Sequence, residues 1–94
     1  MMTFDWNEEN SRHIALHHVT PDEAEQAFDN DPIDLEVQED EDDTFRYKQI
    51  GETSSGRILV LLSTDRGSVI RIVTAFDAPK ALKDMYFRIK AKQT

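Results

Sequence analysis

The side chains in this 94-residue chain with the means to do chemistry are three histidines and a scatter of cations. His17 carries an imidazole, a side chain that can accept or donate a proton. Arg46 and Arg71 present planar guanidinium forks suited to clamping a phosphate, and Lys48 and Arg57 add positive charge. Thr74 can donate a hydroxyl hydrogen bond, and Tyr86 can stack on a base with basic residues around it. Proton transfer beside fixed positive charge is the equipment for acid–base chemistry at a phosphate ester. Among the cations Arg71 stands out, because it interrupts an apolar strand between Val69 and Val73, where a charge must find a partner or a groove.

Each of these residues also has a purely structural explanation. A histidine at the end of a short helix, as His17 is, suits the helix dipole. Arg46 and Lys48 lie opposite acidic neighbours and can be ordinary strand-face charges. Thr74 suits a strand by its β-branching alone, and Tyr86 falls on the buried stripe of an amphipathic helix. His13 and His17, four residues apart, have the spacing of two metal ligands. A zinc site needs further ligands, and the carboxylates nearby follow no such pattern, so neither a metal nor another cofactor is expected. There is no cysteine, no phosphate-binding glycine loop, no serine triad and no paired-carboxylate motif.

The elements that must position these residues follow from local pattern. Asp5 or Asn7 can cap a helix of two to three turns over residues 8–17. Thr20-Pro21-Asp22-Glu23 is a capping box with proline at the first helical position, and Ala24, Ala27 and Phe28 continue at helical spacing. Asp31 before Pro32 ends that helix, and Ile33, Leu35 and Val37 then alternate as a short strand. The run 38–43, including the acidic stretch Glu39–Asp43, cannot pack and reads as a solvated hairpin connection that could also attract a basic partner or shield a basic groove. Strands follow over 44–52, 57–63 and 68–75, divided by Ser54-Ser55-Gly56 and Asp65-Arg66-Gly67. Ile58–Leu62, apolar on both faces, is the expected centre of the sheet. Asp77 is the expected cap of a last helix with Pro79 in its first turn and Leu82, Met85, Tyr86 and Ile89 on its buried stripe. The expectation is one α+β domain over residues 1–94, with two short N-terminal helices, a four-stranded antiparallel meander and a C-terminal amphipathic helix.

The net charge is −8, unevenly distributed: residues 1–64 carry 16 acids and 4 bases, residues 65–94 carry 3 acids and 7 bases. An acidic whole argues against tight non-specific nucleic-acid binding, while the basic last third leaves room for a local phosphate-facing patch. No signal-peptide pattern opens the chain, and its longest apolar run falls far short of the ~20 residues of a membrane span. A cytoplasmic protein without membrane contact is expected.

Phe4-Asp-Trp-Asn-Glu, His13–Thr20, Glu23-Ala24 and Phe28–Pro32 are similar to the N-terminal half of BrnT-type toxins, which commonly run Phe-x-Trp-Asp, Lys/Arg-His-Gly-Val and Glu-Ala. Arg46-Tyr47-x-x-Ile50-Gly51, Gly56-Arg57-Ile58-Leu59-Val60 and Val69–Ala75 resemble the same family's Arg-x-x-x-Ile-Gly strand, Gly-Arg hairpin and Arg-Ile-Ile-Ser/Thr-Ala strand. The resemblance spans nearly the whole chain in order and spacing. It implies a RelE-like ribonuclease fold, metal-independent RNA cleavage and a small DNA-binding antitoxin as partner. On it, His17, Arg46, Arg71 and Thr74 are the catalytic candidates, and Lys48, Arg57 and Tyr86 the RNA-binding ones. The chain departs from the pattern at Leu16, where the family usually has Lys or Arg, and at Phe76, where it often has Arg. Two functions therefore stand side by side: a ribonuclease toxin, or a catalytically degenerate member acting as a protein-interaction or regulatory module.

Overall fold

The computed structural model describes residues 3–40 and 42–93. Its elements run β1 (Thr3–Phe4), α1 (Glu8–Ala15), α2 (Pro21–Asp29), β2 (Ile33–Glu39), β3 (Phe45–Glu52), β4 (Ile58–Arg66), β5 (Val69–Asp77) and α3 (Lys80–Lys92). The class is α+β as the pattern predicts, but the sheet has five strands rather than four, in the order β1-β5-β4-β3-β2. The additional strand is the pair Thr3–Phe4, which lies parallel to β5. Two residues carry no alternation, so nothing in the sequence distinguishes them from a helix leader. β2 to β5 form the expected antiparallel meander, with Ile58–Leu62 in its central strand.

Local chemistry sets the helix ends. Asn7 and Asn10 exchange side-chain-to-backbone hydrogen bonds at the start of α1, and Thr20 and Glu23 do the same for α2, satisfying N–H groups that the first helical turn leaves orphaned. α1 ends earlier than predicted, and His17 falls in the turn beyond it. There the His18 N–H donates to the Ala15 carbonyl and the Val19 N–H to that of Ile14, while His18 takes a left-handed φ of 60°. This is a Schellman closure, and Val19 and Ile14 supply its apolar contact inside the core. The acidic run contributes Gln38 and Glu39 to β2 rather than to the connection; of its members, Glu41 lies outside the described residues. Asp77 does not cap α3: it ends β5, and Pro79 takes the N-cap position without a side-chain cap bond. The reason is a stronger partner for Asp77, the guanidinium of Arg57.

The two faces of the sheet are covered differently. α1 and α2 pack on one face over Ile14, Val19, Ala24, Ala27, Leu59, Leu61, Ile70, Ile72 and Ala75. Their approach is tight at Gly51, where a Cβ would lie 2.3 Å from the Ala27 carbonyl oxygen. α3 covers part of the other face through Tyr86 and Leu82 against Ile50 and Ile58. It leaves the far half of that face uncovered, and there β2 to β5 present their charged residues.

Candidate nucleic-acid interface

Strand register decides what the uncovered face displays, since alternate residues share a face. Gln38 stands opposite Arg46, Arg46 opposite Thr64, and Thr64 opposite Arg71. One row across four strands therefore carries two guanidinium groups flanking a hydroxyl, with the arginine backbones two strand spacings, about 10 Å, apart. The next row on the same face runs Glu36, Lys48, Leu62. Three adjoining concavities follow these rows across the sheet. The first, of about 380 Å³, is lined by Glu36, Gln38, Arg46, Lys48, Leu62, Thr64 and Val73 among others. The second adds Asp5, Thr44, Arg66, Val69 and Arg71. The third continues over the β5 edge to Asn7, Asn10 and His13.

The arginines here are engaged but accessible. Arg46 meets Asp40 at 3.0 Å, Arg71 meets Asp5 at 2.6 Å, and Arg66 approaches Asp42 at 3.6 Å. The Arg46 and Arg71 side chains are each 54% exposed. Exposed ion pairs are worth about 0–1 kcal/mol, so exchanging these carboxylates for another anion costs little. Two of the three carboxylates come from the acidic turn between β2 and β3, which thus folds back over the cations and shields them.

Asn10 sets the edge of the interface. Its side-chain amide donates to the carbonyls of Asp5 and Ile72, fastening α1 to β5 where β1 no longer pairs with it. One helical turn on, His13 is brought to the concavity that Arg71 and Val73 also line. His17 is directed elsewhere: its ring lies 5.8 Å from that of Phe76, five residues and roughly 15 Å along β5 from Arg71. The sequence expectation named His17 alone for proton transfer, whereas α1 docking brings His13 to this surface. Their rings are 6.0 Å apart, and among the described residues no three His, Asp or Glu side chains are grouped to share a metal ion.

Three other expected participants lie outside this surface. Tyr86 is only 2% exposed and its ring is core beneath α3, so it cannot stack on a base, and the sequence expectation is corrected. Thr74 is buried, with its hydroxyl unpaired, and lines none of the three concavities. A bulge between the Leu62 and Ser63 pairings leaves Val73 as an extra residue and sets Thr74 opposite Leu62, yet Thr74 is buried there and Val73 lines the groove; the hydroxyl in register with Arg46 and Arg71 is that of Thr64. Arg57 has no N–H left for RNA. Nε and Nη2 bind Asp77, Nη1 binds Glu23, and Nη1 and Nη2 also donate to the carbonyls of His18 and His17. Hydrogen bonding to Arg57 lowers the Asp77 pKa, and the backbone bond at Thr20, with Arg57 behind it, lowers that of Glu23. Arg57 is a clamp joining the α1–α2 turn, α2 and the end of β5.

Arg66, Thr64 and His13 are the residues of this surface that sequence reasoning passed over. The signal for the first two was present, because Leu62, Thr64 and Arg66 alternate on one face of β4. A roomier concavity of about 620 Å³ between α2 and the β3–β4 turn carries Asp22, Glu25 and Asp29, a charge that repels a polyanion. No helix among the described residues is long and apolar enough to cross a membrane. No curated protein matches the chain. Residues 6–81 match the model of the ribonuclease toxin BrnT of type II toxin–antitoxin systems, and the chain belongs to that family of toxins, whose type implies an antitoxin partner.

Proposed function

We propose that this protein is a ribonuclease toxin that cleaves cytoplasmic RNA on the uncovered sheet face without a metal ion, and that a small DNA-binding antitoxin holds it inactive. The observation that carries the reading is the register placing Arg46 and Arg71 on either side of Thr64 on one open face. In such a cleavage the RNA 2′-oxygen attacks phosphorus, its proton passes to a base, and the P–O5′ bond breaks as the 5′-oxygen takes a proton. The products are a 2′,3′-cyclic phosphate and a 5′-hydroxyl. Arg46 and Arg71 replace Asp40 and Asp5 with the phosphate oxygens and stabilise the charge that grows on them. Thr64 donates between them, Lys48 and Arg66 extend the positive track, and His13 serves as a proton-transfer group. His13 takes the role that the sequence expectation gave to His17, because it lines the same concavity as Arg71.

The competing reading, a non-catalytic interaction module, draws on one specific observation: both arginines already have carboxylate partners. The two differ in outcome. On the nuclease reading, expression without antitoxin arrests growth, and purified protein degrades RNA in the presence of a chelator. Arg71→Ala and Arg46→Ala each reduce cleavage by roughly a hundredfold or more with unchanged circular dichroism. Harmless expression together with intact RNA between pH 5 and 9 would leave the interaction module as the better description.

A further inference from the structure

From the second row on the open face we infer a base-recognition subsite selective for guanine, built by Glu36 and Lys48 over Leu62; the inference rests on the nuclease reading of the first row.

Glu36 and Lys48 stand directly opposite each other on β2 and β3, and Lys48 opposite Leu62 on β4. All three line the 380 Å³ concavity, whose apolar part is completed by Val73. The carboxylate and ammonium face each other across one strand spacing, yet among the described residues they form no ion pair within 4.0 Å with each other or with any other group. This sets them apart from Arg46, Arg66 and Arg71 in the same groove. The row lies two residues along the strands from the Arg46–Thr64–Arg71 row, about 7 Å, an offset suited to that between a nucleotide's phosphate and its base. A phosphate held by the arginines thus delivers its base onto Leu62 and Val73, an apolar floor for its ring face.

The edge chemistry then selects the base. A carboxylate only accepts hydrogen bonds and an ammonium only donates them. Guanine presents two adjacent donors, N1–H and the N2 amino group, next to the O6 acceptor. Glu36 takes the two donors and Lys48 supplies O6. Adenine offers an acceptor at N1 where Glu36 needs a donor, and uracil and cytosine have no second donor beside the first. Unstacked single-stranded RNA exposes this edge to a protein.

The test uses short single-stranded RNAs that differ only in one base beside the cleaved phosphate, with the full chain and with Glu36→Gln and Lys48→Met. Glu36 is exposed on an edge strand, so its substitution leaves the fold intact, as circular dichroism will check. Wild-type protein is expected to favour guanine in kcat/KM. Glu36→Gln should shrink the ratio of guanine to the other bases by roughly 5- to 100-fold, and Lys48→Met should shrink it in the same direction. Cleavage with no guanine preference, or a ratio unmoved by Glu36→Gln, overturns the subsite and leaves the nuclease reading standing. If wild-type protein cuts nothing, NMR titration with the four nucleoside 5′-monophosphates decides. Tighter binding of the guanosine compound, lost in Glu36→Gln, upholds the subsite although the nuclease reading fails; equal or absent binding overturns it.

Discussion

Replacing Arg57 by Met tests whether this residue is a clamp rather than an RNA contact. The change keeps most of the aliphatic stem and deletes five hydrogen bonds, three to the carboxylates of Asp77 and Glu23 and two to the carbonyls of His17 and His18. Hydrogen bonds to charged groups contribute about 1.5–3 kcal/mol each when sheltered. The Asp77 side chain is 65% exposed and water replaces much of what it loses, whereas Glu23 is 26% and Arg57 23% exposed. With that screening, the expected loss is about 2–4 kcal/mol in all, or roughly 10–20 °C in Tm for a domain of this size. The loss must depend on pH in a defined direction. Arg57 holds the Asp77 pKa below its ordinary 3.8, and after the Thr20 backbone bond it helps to hold that of Glu23 below 4.5. Depressed folded-state pKa values stabilise above the unfolded pKa, and the contribution disappears as pH falls through the folded values. Urea unfolding of wild type and Arg57→Met at pH 7 and in acid should therefore show a wide gap that narrows as the two carboxylates take up protons, leaving the two carbonyl bonds. A gap under about 1 kcal/mol at pH 7, or one of the same size at both pH values, would refute the clamp.

Two further substitutions probe the frame that positions the site. Gly51→Ala drives a methyl to 2.3 Å from the Ala27 carbonyl oxygen, so α2 must lift from β3; a loss of about 1–3 kcal/mol is expected in chemical denaturation, and a neutral result would contradict the packing. His18→Gly removes the strain of a side chain at φ 60°, worth about 1–2 kcal/mol, against about 0.5–1 kcal/mol of added chain entropy. A net gain of roughly 0.5–1 kcal/mol should appear as a raised Tm, and a loss would place the turn in another conformation.

Much of the fold was legible because the deciding interactions are local. The Thr20–Glu23 capping box, the Asp31-Pro32 stop and the two-residue alternation of β2 to β5 each act over a few positions, and the resulting helices and meander follow them. His18 holds a left-handed φ of 60° within the turn after α1, a conformation that suits glycine. What escaped depends on partners distant in sequence. β1 exists only because β5, some 65 positions later, offers it an edge. Asp77 has the chemistry of a helix cap, and only the fold shows that Arg57 outcompetes the helix for it. The site was half legible. Arg46 and Arg71 were identifiable as exposed charges on strands, but their convergence required the register. Strict alternation from Arg71 would have put Thr74 on the opposite face; the single bulged residue at Val73 sets it opposite Leu62, where it is buried. The resemblance pointed to His17, and the Asn10 bonds that dock α1 on β5 are what set His13 beside the groove.

The acidic composition, which at first argues against a nucleic-acid enzyme, becomes consistent with one when the charges are placed. Acids dominate the outer side of α2 and the β2 edge, while the open half of the sheet concentrates Arg46, Lys48, Arg66 and Arg71. Three of those four cations are met by Asp40, Asp42 and Asp5, carboxylates standing where phosphate oxygens would stand. Such pairs keep the groove neutral when empty, which limits adventitious binding of polyanions. They yield to a substrate that presents several phosphates at the right spacing, because each exchange costs little and several are made together. An isolated phosphate gains almost nothing from the same trade. Selection for a continuous single strand over scattered anions thus follows from the pairing itself, and removing one carboxylate, as in Asp5→Asn, should raise the affinity for RNA of any sequence while weakening that discrimination, a change measurable as tighter binding of short oligonucleotides at low salt.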